Sequence, residues 1–125
     1  MSGTLSLQVI CGRGLRETGV LTKQDLYIVV TAGGNKARSK TCQGAGSDPN
    51  WNEMFTFPLH AHDHVLTLEI WSAKMLGDSK TGVVTFSLSE VRATVTGDKQ
   101  LQILEPSTQR ATSGLLHIGW NYTGP

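Results

Sequence analysis

An all-β sandwich of about eight antiparallel strands is the fold class this sequence predicts, on three observations. Short runs rich in β-branched and aromatic residues, several alternating apolar with polar side chains, recur along the whole chain. Connectors containing Gly, Asp, Asn and Pro separate them at spacings typical of an antiparallel sandwich. Only Ser87 to Val95 can hold a helical turn, which excludes a parallel α/β architecture.

Each element has its own warrant. Leu5-Ser6-Leu7-Gln8-Val9 has the period of a strand with one buried face. Leu26-Tyr27-Ile28-Val29-Val30 is a β-branched run, and Lys36-Ala37-Arg38-Ser39-Lys40 alternates again after Gly33-Gly34-Asn35, the residues a hairpin turn demands. Glu53 to Phe57 and Val65 to Trp71 repeat the strand pattern, and Thr81 to Phe86, Gln100 to Leu104 and Leu115 to Tyr122 complete the set. Pro58 is expected at a strand end, where a missing N–H is tolerated. Residues 1–122 are read as one domain, with a frayed tail from Thr123 to Pro125.

Bulk properties narrow the function. A chain of 125 residues, 38% hydrophobic and 17% charged, fits one folded core and excludes intrinsic disorder. A formal net charge of +1 is too small for nucleic-acid binding over the whole surface. No apolar run approaches the roughly 20 residues of a spanning helix, so membrane contact is expected to be peripheral. Cys11 and Cys42 come without a charged leader and apolar stretch, and are expected as reduced packing residues of a cytoplasmic protein.

The most specific motif is Ser47-Asp48-Pro49-Asn50-Trp51-Asn52-Glu53 followed by Met54-Phe55-Thr56-Phe57. Asp48-Pro49 fixes a turn, Trp51 supplies an apolar anchor, and Asn52 can bond local backbone before the strand. This stretch resembles the turn and strand that mark C2 domains. Gly14-Leu15 followed by Gln24-Asp25-Leu26-Tyr27-Ile28-Val29-Val30 is similar to the family's next anchor, with Leu26 in place of the usual proline. Leu66-Thr67-Leu68-Glu69-Ile70-Trp71 with Gly82 downstream resembles a third. The resemblance implies a C2-like Greek key of the circularly permuted, second topology and a small stand-alone docking module, not an enzyme.

It also implies a degraded calcium site. Calcium takes about six to eight oxygen ligands, which family members supply as aspartates from two loops at one end of the sandwich. Here Asp25 and Asp78 match ligand positions. Gly19 stands where a partner aspartate belongs, Glu17 is out of register, and Ser72 and Lys74 replace two more. Asp25 and Asp78 are therefore expected to form a weak residual metal site at best, with calcium not required. Lys74 is expected to substitute for the metal with its own positive charge. The bland alternative is that both carboxylates are solvated loop residues capping turns.

Lys36, Arg38 and Lys40 alternate, so in a strand their side chains leave one face at intervals of roughly 6 to 7 Å. This stripe is similar in position to the patch with which family members hold phosphoinositide headgroups. The competing reading is a solvated edge strand protected from aggregation. At about 1 kcal/mol per basic residue near an anionic leaflet, three supply roughly 3 kcal/mol, too little for stable attachment alone. The resemblance places Val20-Leu21 and Met75-Leu76 at loop tips at one end, where each buried side chain adds roughly 1.5 to 3 kcal/mol, unless the four pack against one another.

Other signals are weaker. His60-Ala61-His62-Asp63-His64 puts imidazoles at alternate positions, but it lies between strands without a second ligand cluster and is read as a solvent-exposed loop. Asn121-Tyr122-Thr123 fits a glycosylation acceptor that a cytoplasmic chain does not use. No Ser/His/Asp or Cys/His set supports catalysis, and Trp51, Trp71 and Trp120 are assigned to packing. The sequence thus points to a monomeric, cytoplasmic, peripheral membrane module for anionic phospholipids, phosphoinositides included, through Lys36, Arg38, Lys40, Val20, Leu21, Met75 and Leu76. The alternative is a protein-interaction scaffold on the same fold.

Overall fold

Side-chain alternation and turn chemistry account for the element order in the computed structural model, which describes residues 2–16 and 23–124. Strands β1 (Ser2–Arg13), β2 (Leu26–Ala32), β3 (Asn35–Arg38), β4 (Asn50–His60), β5 (Val65–Ser72) and β6 (Ser79–Ser87) come first. Helix α1 (Leu88–Thr94) separates them from β7 (Thr96–Leu104) and β8 (Ala111–Thr123). All eight expected strands and the single helical turn are present. The helix starts where Ser87 Oγ accepts the amide of Ser89, and Leu88 and Val91 bury its inner side.

The spatial order is β3-β2-β5-β6-β7-β8-β1-β4, with every neighbouring pair antiparallel. The β6–β7 ladder has a single pair, Val83 with Leu104, so the eight strands divide there into two four-stranded halves. The first and last strands are neighbours, with Leu5 opposite Tyr122 and Val9 opposite Ile118, as the permuted topology requires. Both halves contribute to one core: Leu5, Leu7, Val9, Phe55, Phe57, Leu116 and Ile118 from one, Ile28, Val30, Leu66, Leu68, Ile70 and Val84 from the other. These are the alternate positions that strand periodicity assigns to a buried face.

Boundaries differ from expectation for physical reasons. Pro58 lies inside β4, opposite Thr4, and not at its end; β4 is an edge strand with one neighbour, where a missing N–H costs little. The expected strand from Lys36 to Lys40 stops at Arg38. Ser39 turns inward, its Oγ accepting the Ile28 amide at 2.8 Å and donating to the Lys40 carbonyl at 2.9 Å. Strand β8 runs through Thr123, one residue into the expected tail. Cys11 and Cys42 are both free thiols.

Gly33 turns the β2–β3 hairpin with φ +61°, a conformation that favours glycine. A Cβ there would also lie 2.6 Å from the Asp63 carboxylate. Asp63 is buried; its Oδ2 accepts the His60 amide at 2.8 Å, and Arg92 closes the same turn by donating to the carbonyls of Asp63 and His60.

Candidate functional site

The outward-facing positions of the β3-β2-β5-β6 half build an aromatic and cationic face. In β2, Leu26, Ile28 and Val30 enter the core, so Tyr27 points to the other side, opposite Trp71 of β5. The two rings stack with planes 7° apart and centroids 6.4 Å apart. The Arg38 guanidinium carbon sits 3.7 Å above the Tyr27 ring, and Lys80 Nζ lies 5.9 Å from the Trp71 ring centre. Arg38, Tyr27, Trp71 and Lys80 thus form a continuous row across four strands. Covered in this way, Tyr27 is only 5% exposed although it is not in the core cluster.

Charge on this face is unevenly spent. Lys80 pairs with Glu69 at 3.1 Å, and Trp71 Nε1 donates to the same carboxylate at 3.3 Å. Partial burial pushes the Glu69 carboxyl up, but the bonds from Lys80 and Trp71 and the charges of Lys80 and Lys36 outweigh it, leaving it below the ordinary value. Lys36 and Arg38 are exposed and make no ion pair among the described residues, so their charge is available to an outside anion. Lys40 lies beyond β3, exposed, with its backbone amide donating to Glu53 Oε1 at 3.0 Å. Two of the three predicted basic residues therefore share the strand.

The loop between β5 and β6 sits beside this face. Lys74 N–H donates to Asp78 Oδ1 at 3.0 Å and Gly77 N–H to the Lys74 carbonyl at 3.3 Å, which closes a tight turn. Met75 and Leu76 stand at its tip, 100% and 99% exposed, so these two do not fold back into a small loop core. Val20 and Leu21, with Glu17 and Gly19, lie outside the described residues.

Both predicted metal-site carboxylates hold the fold together. Asp25 Oδ1 accepts the Gly44 amide at 2.7 Å, while its carbonyl accepts the amide of Ala73 at 2.8 Å. Asp78 Oδ2 accepts the Tyr27 hydroxyl at 2.6 Å. That bond, then the Lys74 amide, then the nearby Arg38 charge hold the Asp78 carboxyl below its usual range despite slight desolvation. The Tyr27 hydroxyl is pushed above its ordinary value by burial first and then by Asp78. Lys74 is exposed and, among the described residues, its ammonium makes no ion pair with Asp25 or Asp78.

C2 domains commonly bind calcium, and of the carboxylates expected at that site the described residues supply Asp25 and Asp78. The described residues include no group of three or more His, Cys, Asp or Glu able to hold a metal. The two carboxylates present already accept the Gly44 amide, and the Tyr27 hydroxyl with the Lys74 amide, so an incoming ion would share their oxygens with those donors. At the other end of the sandwich, the His60 and His62 rings stack 5.7 Å apart, and His62 Nε2 is 3.7 Å from Asp63 Oδ1.

The eight-stranded antiparallel sandwich, with first and last strands adjacent, defines a C2-type fold. The chain belongs to the C2 domain family, whose model matches residues 3–104. It is 29% identical over 92 residues to Elicitor-responsive protein 3 of Oryza sativa subsp. japonica, covering 73% of this chain and 64% of that protein. It is 34% identical over 92 residues to Synaptotagmin-4 of Arabidopsis thaliana, covering 71% of this chain and 16% of that protein. The match thus spans under two thirds of the length of either relative.

Among solved structures, a single C2 domain of plant Extended Synaptotagmin 1 superposes with a TM-score of 0.82 at 17% identity, covering 98% of this chain and 95% of that one. Calcium-bound Extended-Synaptotagmin 2, a tandem pair of C2 domains, superposes with a TM-score of 0.83 at 20% identity, covering 96% of this chain and 45% of that one. At these identities the likeness establishes the fold. No helix among the described residues is long and apolar enough to cross a membrane.

Sequence reading missed Tyr27, Trp71 and Lys80 as parts of the site. The signal was present for the first two: in a strand whose even positions are core, the odd ones face outward, and Tyr27 and Trp71 are odd-parity aromatics on adjacent strands. Their pairing needed the register, which the sequence does not state.

Proposed function

We propose that this chain is a cytoplasmic, non-catalytic docking module that attaches to anionic phospholipid membranes without requiring calcium. The observation that carries this reading is the face on which Lys36 and Arg38, with no ion pair among the described residues, lie beside the stacked Tyr27 and Trp71, next to the fully exposed Met75-Leu76 tip. Fixed positive charge attracts the headgroup layer and the apolar tip enters it. Lys36, Arg38 and Lys40 supply roughly 3 kcal/mol near an anionic leaflet. Met75 and Leu76 add about 1.5 to 3 kcal/mol each if buried fully, which brings the sum to a useful affinity where neither part suffices. Phosphoinositides, with several phosphates per headgroup, suit a row of cations better than a singly charged lipid does.

Cosedimentation with vesicles tests the reading. The protein should pellet with phosphatidylcholine vesicles containing phosphatidylserine or a phosphoinositide and stay in solution with phosphatidylcholine alone. Changing Lys36, Arg38 and Lys40 together to alanine should abolish the difference. Failure of the unaltered protein to pellet with any anionic vesicle would give preference to a protein partner.

A further inference from the structure

Asp78 matches a calcium-ligand position of the family, yet both of its oxygens are engaged within the fold. Oδ1 holds the Lys74 amide of the turn that carries Met75 and Leu76. Oδ2 holds the hydroxyl of Tyr27, the ring on which Arg38 rests. One carboxylate therefore joins the apolar tip to the cationic face through two hydrogen bonds, at 3.0 and 2.6 Å. Ala73, at the base of the same turn, is tied to the Asp25 carbonyl at 2.8 Å. Gly77, with φ +124°, supplies the backbone the turn needs.

We propose that Asp78 is a positioning residue, a latch that fixes the Met75-Leu76 turn against the Tyr27–Arg38 face so that both meet an anionic membrane as one preordered surface. This rests on the membrane-docking reading above and goes beyond it by assigning a metal-ligand position a different task. The reasoning is one of preorganisation: a turn already ordered loses less freedom on docking than a loose one. The phenol of Tyr27 and the amide of Lys74 each bond one Asp78 oxygen, which ties the turn to the face through this chain's own donors.

The latch makes a prediction of unusual sign. Asp78 is an exposed negative charge beside a surface meant for anionic lipid. If it were only a solvated carboxylate, Asp78→Ala would remove a repulsion and tighten attachment. If the Tyr27 hydroxyl served the headgroup directly, freeing it from Asp78 would again tighten attachment. The latch requires the opposite: Asp78→Ala, which leaves neither oxygen, and Tyr27→Phe each weaken attachment, although the first makes the protein more positive and the second leaves its charge unchanged.

The test is a double-mutant cycle on vesicles of phosphatidylcholine and phosphatidylserine, with thermal melts confirming that each variant is folded. Tyr27→Phe and Asp78→Ala should each weaken attachment about three- to tenfold, and the double variant no more than the weaker-binding single. In a Met75→Ala/Leu76→Ala background, where the turn has nothing to insert, Tyr27→Phe should have no further effect. Amide hydrogen exchange of the free protein should show faster exchange at Lys74 in both single variants. Tighter binding by Asp78→Ala, additive losses in the double variant, or an undiminished loss in the Met75/Leu76 background overturns the latch while leaving membrane docking intact. Absence of vesicle binding by the unaltered protein removes the docking reading itself, and the latch with it.

Discussion

Removing Lys36 and removing the whole Lys80–Glu69 pair should affect attachment differently, because the first takes away a net positive charge and the second takes away none. Lys80 Nζ is 3.1 Å from Glu69 Oε2, so the two charges balance as a unit. Lys36 is exposed, with no ion-pair partner among the described residues. Near an anionic leaflet a free cation contributes about 1 kcal/mol, so Lys36→Ala should weaken attachment to phosphatidylserine vesicles about fivefold. Lys80→Ala both removes a cation and releases Glu69, and an exposed pair of this kind is worth on the order of 0 to 1 kcal/mol; changing both Lys80 and Glu69 to alanine should leave attachment within about twofold of the unaltered protein. The assay is equilibrium cosedimentation over a range of salt. The Lys36→Ala loss should shrink as added salt shortens the screening length from about 10 Å at 0.1 M to about 3 Å at 1 M. Equal losses for Lys36→Ala and the Lys80/Glu69 double change, or a Lys36→Ala loss indifferent to salt, would refute the reasoning.

Two further outcomes follow from geometry away from the lipid face and within it. Gly33→Ala should destabilise the fold by about 1 to 2 kcal/mol or more, since it puts a side chain at positive φ and its Cβ against the buried Asp63; Gly34→Ala, with open space around it, should be close to neutral in the same thermal melt. Ultraviolet titration of the two tyrosines should show Tyr27 ionising above the ordinary phenol range, because burial and the Asp78 carboxylate both oppose its charge, and moving back down in Asp78→Asn. The sign is fixed by linkage: a folded pKa above the unfolded one means that stability is lost as pH rises through the folded value.

Most of the architecture was legible in the sequence because it depends on local rules. Period-two alternation placed Leu5, Leu7 and Val9 inside, and Gly33 fixed the hairpin that carries Lys36. What escaped were features that depend on which strands lie together. The rule confining proline to strand ends misplaced Pro58 because edge status is a property of the sheet, not of the segment. Alternation put Ala37 and Ser39 inward and Lys36, Arg38 and Lys40 outward, as found, but nothing local announces that the ladder stops at Arg38, where Ser39 instead holds the Ile28 amide. Lys74, the substitute charge expected for the metal, offers its backbone to Asp78 while its ammonium makes no pair there among the described residues; the donors found on Asp78 are that amide and Tyr27, the latter 51 positions away along the chain. Long-range partners of this kind are invisible to spacing arguments. The family resemblance carried Asp25 and Asp78 as ligand positions, and the structure shows what else occupies their oxygens.

Calcium separates the account from its nearest competitor most directly. Attachment to phosphatidylserine vesicles, measured once in millimolar calcium and once in excess chelator, should give the same bound fraction, since Lys36, Arg38 and the ordered Met75-Leu76 turn are in place without the ion. Binding that appears in calcium and vanishes in chelator would contradict it.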